Sequence, residues 1–126
     1  MFTKEEDLQE RLNEWRKEFD KTRKKLKIRQ DKLSELPESH KEFKNRKNYI
    51  KKLENRLDSI RNKCVSIKYE LDKLREQKRL INVQINELSN ELADLLEFGL
   101  TKQDNIDDVI NQIRDLEVKL EELDKL

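Results

Sequence analysis

IKKLENRLDSIRNKCVSIKYELDKL, residues 50–74, places Ile50, Leu53, Leu57, Ile60, Cys64, Ile67, Leu71 and Leu74 at alternating steps of three and four. That spacing lines one stripe of an α-helix; a strand would need its apolar residues at every second position. Followed outward, the rhythm starts at Phe43 and Arg46 and runs on through Lys78, Ile81, Ile85, Leu88, Leu92 and Leu95. These are a and d positions of eight uninterrupted heptads, and only Arg46 and Lys78 interrupt the apolar series.

Two shorter series flank the long one. Leu8, Leu12, Trp15, Phe19, Thr22, Leu26, Arg29, Leu33 and Leu36 keep the same rhythm upstream, and Ile106, Val109, Ile113, Leu116, Leu120 and Leu123 keep it downstream. The breaks between them carry stop and start chemistry. Pro37 cannot continue a preceding helix, and Ser39 with Glu42 in SHKE reads as a capping box for the next one. Gly99, the single glycine, suits the left-handed residue that ends a helix, and Thr101 with Asp104 resembles the following cap. Thr3 with Glu6 makes a further cap at the start. The expected fold is all-α, with helices over about 4–36, 39–98 and 102–126.

Composition agrees with helices that meet along narrow seams. Of 126 residues 45% are charged and 33% apolar, with one Gly and one Pro, which is too little apolar mass for an ordinary globular core. A helix over 39–98 would be roughly 90 Å long, and its apolar stripe needs a partner in water. Folding the first helix back antiparallel sets Leu36 against Phe43, Leu33 against Arg46, Leu26 against Leu53, Trp15 against Cys64 and Leu8 against Leu71. Folding the third back sets Ile106 against Leu95, Ile113 against Leu88 and Leu123 against Lys78. No two charged core positions meet, and only Leu74 lacks a layer. The arrangement expected is therefore a rod of two antiparallel coiled-coil hairpins, about 4–74 and about 75–126, sharing one continuous helix. A parallel homodimer through the long helix is the competing arrangement, at the cost of facing Arg46 with Arg46 and Lys78 with Lys78; exchange of a hairpin between two chains keeps the same layers. The heptads still in rhythm at VKLEELDKL suggest a piece of a longer protein.

Charge is unevenly spread. Residues 11–80 carry 24 Lys or Arg against 12 Asp or Glu, and residues 81–126 carry 4 against 12. In the folded-back arrangement Arg23, Lys24, Lys25 and Lys27 lie beside Lys44, Lys47, Lys51 and Lys52, with Tyr49 among them. This basic end is the candidate surface for an acidic protein partner or a polyanion, although a solvated helix face explains the same charges. Arg46, Leu74 and Lys78 are the candidate register or hinge positions: a long basic side chain at a core position either fixes register or loosens the seam.

With one His, one Cys and one Gly, the chain has no means of assembling a His-Cys metal cluster, a glycine-rich phosphate loop or a nucleophile with a His base. No enzyme activity, cofactor or metal is expected. His40 reads as a solvated first-turn residue and Cys64 as a packing residue, a lone thiol that fits a reducing cytoplasm or nucleus. No apolar run is long enough to span a membrane. The sequence is expected to encode a non-enzymatic coiled-coil interaction module, a spacer, tether or scaffold in a cytoskeletal or trafficking assembly that meets other proteins through helix surfaces. The alternative is an arm of an ATP-driven chromosome or DNA-repair machine whose basic end touches nucleic acid.

Overall fold

A computed structural model describes residues 3–99 and 103–126. It is all-α: α1 spans Lys4–Ser34, α2 spans Phe43–Phe98 and α3 spans Gln103–Leu123. The three heptad series form the three helices, packed as helical hairpins on the long α2. At the start of α1 the Glu6 amide donates to Thr3 Oγ1 at 3.2 Å and the Asp7 amide to the Thr3 carbonyl at 3.0 Å, so Thr3 caps the helix as its position before KEE leads one to expect.

The first turn departs from the expected boundaries. α1 stops at Ser34, two residues early, where the Ser34 hydroxyl donates to the Asp31 carbonyl at 2.6 Å and the Leu36 amide to the Leu33 carbonyl at 3.0 Å. Leu36 precedes Pro37, whose ring disfavours helical backbone in the residue before it. α2 starts at Phe43 rather than Ser39, and the capping box does not form. The Pro37 carbonyl closes a turn by accepting the His40 amide at 3.0 Å, which leaves Ser39 inside that turn. His40 takes over the cap: its Nδ1 accepts the Glu42 amide at 3.1 Å and its carbonyl accepts the Phe43 amide at 3.1 Å. The Glu42 carboxylate is held by Arg46 at 2.9 Å instead of reaching back to Ser39. At the second break Gly99 adopts φ 61°, the left-handed conformation foreseen for it. The expected cap at Thr101 lies outside the described residues, as does the side chain of Asp104.

Contacts divide the chain into two compact units, Leu8–Tyr69 and Met1–Asp7 with Glu70–Leu126. In the first, α1 and α2 run antiparallel around Leu26, Ile50 and Leu53, against which Leu33, Tyr49 and Leu57 pack. Leu8, Leu12, Ile60, Ile67 and Thr22 are also buried there. Side-chain bonds cross the seam at the expected register: Arg56 donates to Glu18 at 3.0 Å, Lys63 lies 4.2 Å from the Trp15 ring and Arg61 lies 5.7 Å from the Phe19 ring. In the second unit α2 and α3 are antiparallel, with Leu71, Leu74 and Val109 buried. Leu74, left without a layer by the sequence pairing, is 4% exposed, because the first turn of α1 and the last residues of α3 both reach this stretch. From Ile81 to Leu95 the core positions of α2 are only half-buried.

Candidate interaction surfaces

The unit Leu8–Tyr69 carries 20 Lys or Arg against 10 Asp or Glu. Arg23, Lys24, Lys25, Lys27, Lys44, Lys47, Lys51 and Lys52 are all exposed on it, the first four on α1 and the rest on α2. Arg23 is 3.7 Å from Asp20 on its own helix. The Tyr49 ring draws two cations from α1: Lys25 Nζ is 5.9 Å and Arg29 Cζ 5.1 Å from its centroid, four residues apart and hence one helical turn apart.

Grooves open on this unit beside the Pro37 turn. One, of about 290 Å³, is flanked by Arg29, Lys32 and the Arg46–Glu42 pair, with Tyr49 and Ile50 as its apolar lining. The other, of about 740 Å³, lies beneath the Pro37 turn, with Leu33, Leu36, Phe43 and Ile50 as an apolar floor and Lys47 and Lys51 among its polar lining. The structure thus brings Lys47 and Lys51 to a groove and Lys25 to Tyr49, and leaves Lys24, Lys27, Lys44 and Lys52 outside both grooves. Arg29 and Lys32 belong to the surface and were not among the sequence candidates. Arg29 has the heptad spacing of a core position, but its side chain emerges onto Tyr49, a relationship that only the register of the two helices creates.

Arg46 likewise leaves the seam. It is exposed and bonds Glu42 on its own helix at 2.9 Å, because it sits in the first turn of α2, where water is one side-chain length away. Lys78 does the opposite. In the second unit its ammonium donates to Asp124 at 2.7 Å and to Glu5 at 3.0 Å, with the Lys78 side chain only 18% exposed. Arg75 adds a bond to Glu5 at 2.9 Å. Asp124 also accepts the Glu5 amide at 3.0 Å through its carboxylate and the Lys4 amide at 2.7 Å through its carbonyl. The C-terminal end of α3 therefore accepts two of the free amides of the first turn of α1, the alignment that backbone dipoles favour.

Electrostatics follow the geometry. Hydrogen bonds from Lys78 and then Arg75 hold the Glu5 carboxyl below its ordinary 4.5. Burial pushes Asp124 upward, but bonds from Lys78, the Glu5 amide and Thr3 outweigh it and the carboxyl sits below 3.8. Burial also opposes the charge on Lys78, yet Asp124 and Glu5 together raise it above 10.5. All three groups are held in their charged forms.

Cys64 is half-buried, and among the described residues no group of His, Cys, Asp and Glu is arranged to hold a metal. No described helix is long and apolar enough to cross a membrane. Comparison with protein-family models, with curated proteins and with solved structures found no match.

Proposed function

We propose that the chain is a non-enzymatic helical interaction module, serving as a spacer, tether or scaffold in a larger cytoskeletal or trafficking assembly, and that it engages an acidic protein segment through the Leu8–Tyr69 unit. The observation that carries this reading is the net charge of +10 on that unit together with its groove of about 740 Å³ under the Pro37 turn, where an apolar floor of Leu33, Leu36, Phe43 and Ile50 is rimmed by Lys47 and Lys51 and by Glu38 and Glu54. An apolar floor on a unit of strong positive net charge favours an amphipathic acidic segment over a phosphate backbone, which needs charge alone.

The test is anisotropy of a labelled acidic amphipathic peptide and of a labelled DNA duplex, each titrated with the chain at several salt concentrations. Tighter binding of the peptide, weakened by roughly tenfold in Lys47→Glu/Lys51→Glu, is the expected outcome. Tighter binding of the duplex, falling steeply with salt, would transfer the assignment to the nucleic-acid alternative.

A further inference from the structure

In the unit made of Met1–Asp7 and Glu70–Leu126, α2 and α3 leave one side of their seam open as a groove of about 460 Å³. α2 lines it with Gln84, Glu87, Leu88 and Glu91, and α3 with Gln112, Asp115, Leu116 and Lys119. Each set follows the spacing i, i+3, i+4, i+7, which is one face of two helical turns. The half-buried Leu88 and Leu116 are its apolar lining.

Its rim is anionic. Glu87, Glu91 and Asp115 are exposed, and none makes an ion pair with another described residue, whereas Glu5 and Asp124 of the same unit are tied to Lys78. The unit as a whole carries 9 Lys or Arg against 18 Asp or Glu. Two helices side by side with an open apolar seam are completed by a third helix laid in the groove between them. Its apolar residues would cover Leu88 and Leu116, and its flanks would meet the three carboxylates.

We infer that this groove is a docking site for an amphipathic helix of another protein whose apolar stripe is flanked by Lys or Arg. This site is separate from the basic surface of the Leu8–Tyr69 unit and selects the opposite charge. The two surfaces give one chain two partners of different chemistry, which is what a tether requires.

A labelled peptide of about three heptads, with Leu at a and d and Lys at e and g, is the probe, and its counterpart with Glu at e and g is the control. The full chain is expected to bind the Lys peptide, to bind the Glu peptide at least tenfold more weakly at this groove, and to lose affinity as salt rises from about 0.05 to 0.5 M. Glu87→Lys/Glu91→Lys/Asp115→Lys should weaken Lys-peptide binding at least about tenfold, whereas Asp94→Lys/Glu97→Lys/Glu121→Lys, with the same change in net charge, should leave it within about twofold. Circular dichroism of both variants checks that these exposed substitutions keep the helices. No binding at about 100 μM, or equal losses in the two triple variants, overturns the site by reducing it to absence or to net charge. Self-association of the chain that disappears in the groove variant alone would overturn it differently, making the occupant a second copy. A Lys47→Glu/Lys51→Glu chain should still bind the Lys peptide, which separates failure here from failure of the basic surface.

Discussion

Lys78 shows how one residue can be conspicuous in the sequence and still conceal its role. A lysine at an a position breaks the heptad rule, and the pattern alone allows it to fix register or to loosen the seam. Its partners are Glu5, 73 residues away, and Asp124, and those two are themselves 119 residues apart, so no local signal points to them. Removing Lys78 leaves two neighbouring carboxylates without their shared cation. Lys78→Met should therefore cost about 1–3 kcal/mol, read as a lowered urea midpoint at neutral pH. The pH dependence has a definite sign. Glu5 and Asp124 lie below their ordinary values of 4.5 and 3.8, so their contribution is present above those values and is lost as acid brings the pH through the lower folded ones. Lys78 lies above 10.5, so its contribution is complete below that pH and is lost only as the pH rises through the folded value. Between about pH 5 and 10 the cluster is at full strength, and the gap between wild type and Lys78→Met should narrow progressively as acid takes the pH below the ordinary carboxylate values. A gap that persists in acid would assign the effect to packing of the aliphatic stem.

At the scale of the element, the heptads specify where the helices run and the turn residues specify their ends less well. Every core position of α2 except Arg46 is buried or half-buried, so the three-four rhythm is a direct record of the covered stripe. Ser39 and Glu42 have the spacing of a capping pair but do not pair at the start of α2. Each has another engagement available, the Pro37 turn for one and Arg46 for the other, and the local competition goes to those. Gly99 is legible in the sequence because its constraint is backbone conformation alone. A Cβ at that position would meet nothing within 4 Å, so the penalty for Gly99→Ala is the left-handed φ of +61° and not a clash. Thermal unfolding should show a loss of about 1 kcal/mol for Gly99→Ala and less for Gly99→Asn. Equal stability of all three would mean that the turn relaxes to another conformation at no cost.

At the scale of the whole molecule, the division of charge is the property that a partner feels at a distance. One unit has a net charge of +10 and the other of −9, though the chain as a whole is +1. The core stripe of α2 is, by contrast, partnered within a single chain: α1 and α3 both cover stretches of α2 that a parallel dimer would need to expose. Light scattering after size exclusion, over a tenfold range of protein concentration, should accordingly give the monomer mass of 15.4 kDa throughout. A concentration-independent dimer would require exchanged hairpins or a different use of the long helix, and would make assembly the leading function.

The sequence by itself determined the helix class, the count of three, the antiparallel register of each pair and the basic character of the Leu8–Tyr69 stretch. All of these follow from periodicity and composition, which are properties of residues close in the chain. The tertiary structure decided which charges meet. Lys25 and Arg29 converge on Tyr49, Lys78 joins Glu5 to Asp124, and Glu87, Glu91 and Asp115 are left at the rim of an open seam. Heptad positions state which face a side chain occupies, whereas the reach of a lysine or arginine across a seam depends on the stagger of two helices and on the water left between them.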